Sequence, residues 1–261
     1  MYVIGERING MFTDVKKAIR AKDAQVIRDL AEKQVAAGAT ALDVNVGPAV
    51  RDSEGAMNWL VEKIREVTDV PVAIDTAKWD VMKAVVPKVK GDMILNSTKA
   101  DPEIAMQYVQ LAVEHGAGLI GLTIDADGVP GNVDKRVELG AQLITLAMEG
   151  GLELGKLFID PIILPVNVAP RNPGHCMEAI AQLSAFADPP PYLLLGLSNV
   201  SQRCNNRELI NRTYLAMAMA RGLTAAIMDP FDKELMDTAI TTDLLMERMI
   251  YCDSYLEAAR H

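Results

Sequence analysis

The chain predicts a closed, parallel (β/α)8 barrel, and three observations carry the prediction. A short apolar strand, a polar loop and a longer amphipathic segment of helical period recur eight times in one uninterrupted series. The length, 261 residues, suits one such barrel. Half the residues are apolar and 23% are charged, which permits a large core and excludes global disorder. Linkers, low-complexity tracts and charge blocks are missing, so residues 1–261 are expected to form one domain. A doubly wound open sheet is the alternative, but it usually needs fewer units.

Val3-Ile4-Gly5 reads as the first strand and ends in the loop Glu6-Arg7-Ile8-Asn9-Gly10. A helical pattern over 24–37 stops at Gly38, a natural C-cap. Ala41-Leu42-Asp43-Val44-Asn45 is strand two, followed by a helix over 53–67. Pro71-Val72-Ala73-Ile74-Asp75 is strand three, with a helix over 78–86. Asp92-Met93-Ile94-Leu95-Asn96 is strand four, and its helix over 101–115 closes at Gly116. Gly118-Leu119-Ile120-Gly121-Leu122 is strand five, with a helix over 133–148. Leu157-Phe158-Ile159-Asp160 is strand six, with a helix over 175–186. Tyr192–Gly196 is strand seven, with a helix over 206–221. Ala225–Met228 is strand eight, followed by a helix over 233–250 and a short last helix over 253–260.

Bulk chemistry narrows the function. A net charge of −9 argues against nucleic acid, because neutralising phosphates requires a basic face. Cys176, Cys204 and Cys252 are scattered without a C-x-x-C pair, which leaves no four-cysteine zinc site or cluster and no disulfide framework; no bound metal is expected. No apolar run approaches the length that crosses a bilayer, and Met1 to Glu6 lack the basic and apolar regions of a secretory signal. The expectation is a cytoplasmic protein with no membrane partner.

In a barrel of this kind the active site lies at the C-terminal mouth, at strand ends and in the loops that follow. Those positions hold Glu6, Asp43, Asn45, Asp75, Asn96, Asp160, Ser198 and Asn199. A strand-end Asp also serves as the N-cap of a following helix. Several helices start three or more residues later, however, so capping does not account for all of them. The loop from Gly196 to Arg207 is rich in amides, hydroxyls and guanidinium groups and free of carboxylates. Such a loop can hydrogen-bond a polar heterocycle without adding negative charge. No His stands at a strand end: His115 falls in a helix, His175 lies outside the mouth and His261 is terminal.

The segments Gly5-Glu6-Arg7-Ile8-Asn9-Gly10, Leu42-Asp43-Val44-Asn45-Val46-Gly47, Ile74-Asp75-Thr76, Asn96-Ser97-Thr98, Ile159-Asp160-Pro161 and Gly196-Leu197-Ser198-Asn199-Val200-Ser201 together resemble the pterin-binding barrel superfamily. Within it the chain is most similar to the methyltetrahydrofolate:corrinoid protein methyltransferases. The likeness runs in order through the chain and reaches Asn211-Arg212-Thr213-Tyr214. It implies that Asp75, Asn96 and Asp160 hold the pyrimidine edge of a pterin, and that the catalytic Asn199 reaches N5. Gly196 and Ser198 would shape the pocket floor, Gln202 and Arg207 are secondary candidates, and Asp43 and Asn45 would support the ring.

The implied substrates are 5-methyltetrahydrofolate and tetrahydrofolate. The methyl would pass to, or from, the cobalt(I) of a corrinoid (cobalamin) on a partner protein. An amine is a poor leaving group, so N5 must gain a proton or a strong hydrogen bond as the C–N bond breaks; such help is worth about 100- to 10,000-fold. An Asn cannot release a proton at neutral pH, so Asn199 is expected to stabilise the protonating N5, with solvent as proton source. No D-x-H-x-x-G corrinoid motif is present, which puts the cobalt on a separate chain. Candidates are the iron–sulfur corrinoid protein of acetyl-CoA metabolism and the carrier of an O-demethylase. The related dihydropteroate synthases carry Arg-x-His on the last strand, where this chain reads Ala225-Ala226-Ile227-Met228. A non-catalytic folate-binding subunit of a corrinoid complex is a further alternative, and family likeness implies a homodimer.

Overall fold

Strands of four to eight residues with buried apolar centres form the barrel, and the intervening 3.6-period segments cover them as helices. The structure, a computed structural model, describes residues 1–48 and 50–259. In order it comprises β1 (Tyr2–Asn9), α1 (Thr13–Ala21), α2 (Ala24–Ala36), β2 (Ala41–Asn45), α3 (Ser53–Arg65) and β3 (Val72–Asp75). Then come α4 (Trp79–Val85), β4 (Met93–Lys99), α5 (Pro102–Glu114), β5 (Gly118–Leu122), α6 (Val133–Glu149) and β6 (Leu157–Asp160). The chain continues through α7 (Asn172–Leu183), β7 (Tyr192–Gly196), α8 (Arg207–Ala220), β8 (Ala225–Met228), α9 (Lys233–Leu245) and α10 (Tyr255–Ala258). All neighbouring strands are parallel, and β1 closes the barrel by pairing with β8 from Tyr2↔Ala225 to Gly5↔Met228.

Side chains alternate between the barrel interior and the helix layer. Leu42, Val44, Ile74, Leu95, Leu193 and Leu195 are fully buried in the large core beneath the helices. The interior is a separate cluster built from Ile4, Ala41, Ala73, Ile94, Ile120, Phe158, Leu194 and Ala225, one residue from each strand. Its base is aromatic: the rings of Phe158 and Tyr192 stack at 4.7 Å, and Tyr2 tilts against both at 5.4 Å. Two residues further along each strand, the same alternation brings Glu6, Asp43, Asp75, Asn96, Leu122, Asp160, Gly196 and Ile227 to the next tier. The apolar plug thus ends where the acids begin.

The eight strands match the expected series, but several boundaries are corrected. Helix α1 is an addition to the expected series; it buries Val15, Ala18 and Ile19 along one face, and Phe12 at its N-cap makes no side-chain cap bond to mark its start. Strands β1 and β4 run past their expected ends, to Asn9 and Lys99, because register shifts between Gly5 and Ile8 and between Asn96 and Thr98 extend the pairing. Helix α7 starts at Asn172 rather than 175, with Pro173 in its first turn, where a missing N–H costs nothing. Helix α9 ends at Leu245 rather than 250: Glu247 has φ 59°, and Arg248 turns back to pair with Asp243. The last helix spans only Tyr255–Ala258, and its expected end, Arg260, lies outside the described residues, as does His261.

The loops after β1 and β2 interlock through two glycines. The Gly10 N–H donates to the Asn45 carbonyl at 2.8 Å, and a Cβ on Gly10 would stand 2.2 Å from the Val46 carbonyl oxygen. Gly10→Ala should therefore destabilise the fold by about 1–3 kcal/mol through overpacking. Gly174→Ala, on α7 with open space around it, should instead stabilise by roughly 0.5–1 kcal/mol. Urea denaturation midpoints check both, and equal midpoints for the two variants would contradict the interlock.

Candidate active site

The polar tier opens into a cavity of about 790 Å³ at the C-terminal mouth. Asp43 and Asn96 are buried in its wall, and Glu6 and Asp75 are half-buried. Neutral donors hold these acids. Asn96 Nδ2 donates to Asp43 Oδ1 at 2.9 Å, and Asn45 Nδ2 donates to Asp75 Oδ2 at 2.6 Å. Asn45 is itself oriented by the Gly47 N–H, which donates to its Oδ1 at 2.7 Å. Ser198 Oγ donates to Glu6 Oε1 at 2.7 Å, tying β1 to the loop after β7.

Burial raises all of these carboxyls above the ordinary range. Asp43 is pushed well up by desolvation and then by the neighbouring Asp75 charge, against the donation from Asn96. Desolvation raises Asp75 and Glu6 too, opposed by Asn45 and Ser198 respectively. Asp160 is raised to about 6 by burial, opposed by the N–H groups of Ile162 and Gly196 and by Arg136. None of the four strand-end residues Asp43, Asp75, Asn96 and Asp160 caps a helix. Those caps come from Asp23, Asp52, Asp101, Asn132 and Asp232 instead, so no strand-end group is committed to a helix start.

The loop after β7 begins with a 3-10 turn, Leu197–Asn199. The Asn199 amide folds over Gly196: its Nδ2 lies 3.0 Å from where a Cβ on Gly196 would stand, so the glycine makes room for it. Asn199 is exposed to the cavity, and its amide is unengaged by side chains of the described residues. Arg207 spans the loop, donating to Ser201 Oγ at 3.1 Å and to the Ser198 carbonyl at 3.2 Å.

Eight expected site residues meet at this one cavity: Asp43, Asp75, Asn96, Gly196, Ser198, Asn199, Gln202 and Arg207. Asn45 and Asp160, each partly exposed at its strand end, lie beside its lining residues. Asn45 holds Asp75, while Asp160 accepts from the backbone of Gly196, which does line the cavity. Sequence reasoning missed the far wall, made by Met11, Phe12, Glu208, Asp229, Phe231 and Asp232. Asp229 carried a usable signal, since it directly follows β8 as an acid at a strand end. Met11 and Phe12 are exposed apolar residues on a loop whose helix went unrecognised. Six lining carboxyl groups face one lining cation, Arg207, so the cavity favours a ligand rich in N–H donors. Among the described residues no three His, Cys, Asp or Glu side chains are grouped to hold a metal ion. Nor is any helix among them long and apolar enough to cross a membrane.

Residues 6–229 match the family model described as pterin binding enzyme. The chain belongs to the pterin-binding enzymes. It is 30% identical over 264 residues to a methylcorrinoid:tetrahydrofolate methyltransferase of Eubacterium limosum, covering 100% of this chain and 96% of that protein. It is 29% identical over 239 residues to the methionine synthase of Mycobacterium leprae, covering 87% of this chain but only 20% of that much longer protein. Among solved structures, the dihydropteroate synthase of Xanthomonas albilineans bound to 7,8-dihydropteroate superposes with a TM-score of 0.67 at 17% identity, covering 95% of this chain and 94% of that one. The Coxiella burnetii dihydropteroate synthase complex with pteroic acid gives 0.70 at 15% identity, with the same coverage. These structural likenesses establish the fold, and the resemblance first seen in the strand-end segments is borne out.

For this pterin-binding barrel, the raised Asp160 has a thermodynamic signature. The folded protein keeps a proton on Asp160 up to about 6, whereas the unfolded chain loses it near its ordinary value of about 4. Over that window the native state binds more protons, so stability falls as pH rises, by on the order of 2 kcal/mol from this group. Asp160→Asn should remove that part of the slope. Urea midpoints measured across the window decide it: parallel wild-type and variant curves would mean that Asp160 ionises in the fold without penalty.

Proposed function

We propose that the chain is a methyltransferase that moves the N5 methyl of 5-methyltetrahydrofolate to, or from, a corrinoid carried by a separate protein. The observation that carries the reading is the pairing, in one cavity, of a ring of acids and amides with the unengaged amide of Asn199. The full-length similarity to the Eubacterium limosum enzyme supports it.

The residues fit a reduced pterin. Its pyrimidine edge presents N–H and amino donors beside a carbonyl, which matches carboxyl acceptors next to the Asn96 amide. Asp75, Asn96 and Asp160 hold that edge, with Asp43 and Asn45 fixing the orientation of Asn96 and Asp75. Gly196 and Ser198 form the floor, and Arg207 stiffens the loop that presents Asn199, with Gln202 beside it. The corrinoid supplies or accepts the methyl at its cobalt. Asn199 bonds N5 more strongly as that nitrogen gains a proton from solvent, so its contribution is largest in the transition state. Fixing the pterin with its methyl turned outward supplies proximity. Either direction of transfer uses the same contacts. The reading includes a cytoplasmic homodimer whose partner is an iron–sulfur corrinoid protein or an O-demethylase carrier.

Mixing the protein with 5-methyltetrahydrofolate and cob(I)alamin should discharge the cobalt(I) absorbance. Asn199→Ala should slow that step about 100-fold while the chain stays folded. A folate-binding protein that never consumes cobalt(I) would overturn the enzyme reading, and an unchanged rate and affinity in the variant would remove Asn199 from the chemistry.

A further inference from the structure

Behind β6 lies a buried cation that the proposed reaction does not use. Arg136, on α6, is 1% exposed and forms no ion pair among the described residues. Its Nη1 donates to the carbonyls of Pro161 and, at 3.0 Å, Ile162. Burying a guanidinium without a bonded carboxylate is costly, so something in this corner must justify its charge. Ile162 has φ 63°, a left-handed conformation that is a genuine outlier for a β-branched residue. Three donors hold it there by its carbonyl: Arg136, Cys176 Sγ at 3.2 Å and Asn172 Nδ2 at 3.4 Å. The Pro161 carbonyl and the Ile162 N–H are the two ends of one peptide group. That N–H donates to Asp160 Oδ1 at 2.7 Å. A charged donor at one end of a peptide polarises it and strengthens the bond at the other.

We infer that Arg136 is a positioning residue for Asp160: it clamps the 161–162 peptide so that its N–H is aimed at the carboxylate, and it sets a fixed positive charge behind that acid. This rests on the reading that Asp160 accepts N–H donors of the pterin. The groups facing Asp160 from the packed elements are Arg136 of α6, Cys176 of α7 and Tyr214 of α8. Burial pushes the Cys176 thiol up to about 12 and raises the Tyr214 phenol further, so both are neutral. Arg136 is the only one of the three that can offset the charge on Asp160. A side chain that merely filled space would leave the titration of Asp160 untouched.

The test titrates the Asp160 carboxyl by carbon-13 NMR in the intact protein and, in parallel, measures 5-methyltetrahydrofolate binding on both sides of pH 6. Wild-type binding should weaken as pH falls through the Asp160 midpoint, and Asp160→Asn should abolish that dependence. Arg136→Gln should move both midpoints up by roughly one unit, the size expected for losing one nearby opposite charge. Arg136→Lys should keep the wild-type midpoint but weaken binding at every pH, since an ammonium cannot reproduce the planar fork. A wild-type carboxyl midpoint in Arg136→Gln overturns the inference. If Arg136→Gln does not fold, wild-type affinity in Arg136→Lys does so. A wild-type protein that binds no reduced folate sinks the methyltransferase reading instead, while the carboxyl titration still decides the role of Arg136.

Discussion

Hydrogen bonds from neutral donors to carboxyls make this site possible. Acids this close together in a partly dry pocket repel one another and resist ionisation, as the raised Asp43, Asp75 and Glu6 show. Arginine or lysine partners would relieve the strain but would also occupy the carboxylates as ion pairs. The amides of Asn96 and Asn45 and the hydroxyl of Ser198 satisfy one oxygen of each acid and add no charge. The other oxygen is left for a ligand. Each acid is thereby poised between desolvation, which raises its pKa, and a donated hydrogen bond, which lowers it.

That poise depends on the tier beneath. The stacked rings of Phe158 and Tyr192, with Tyr2 tilted against both, and the alkyl layer above them fill the barrel beneath the acids. Desolvation is the first cause of every raised carboxyl here, which makes the plug an electrostatic element as much as a packing one. Asp160 differs in having a buried cation at its back, and it is the acid that also takes backbone donors.

Much of this was legible in the amino-acid order. Strands β2, β5, β6, β7 and β8 begin and end where the apolar runs do, because a strand buried on both faces reads as a plain hydrophobic block. Counting strand ends then found most of the cavity wall. The misses have physical reasons. Extensions of β1 and β4 depend on register shifts that no local pattern encodes, and α1 starts without a side-chain N-cap to mark it. Arg136 lay hidden because a charged residue in an amphipathic helix reads as a solvated one. Its burial follows from where α6 meets the turn after β6, a long-range fact. Asp229 escaped notice because its neighbours were read only for what they lacked.

The helix caps have a consequence beyond this reaction. Asp52, Asp101, Asn132 and Asp232 anchor helix starts, while the strand-end acids and amides anchor none. Helix caps and strand-end polar groups are therefore different residues, although Asp232 both caps α9 and lines the cavity. Exchanging an acid for an amide at a strand end would leave every helix start intact. A scaffold wired this way can trade one heterocycle for another by single replacements, without passing through an unfolded ancestor.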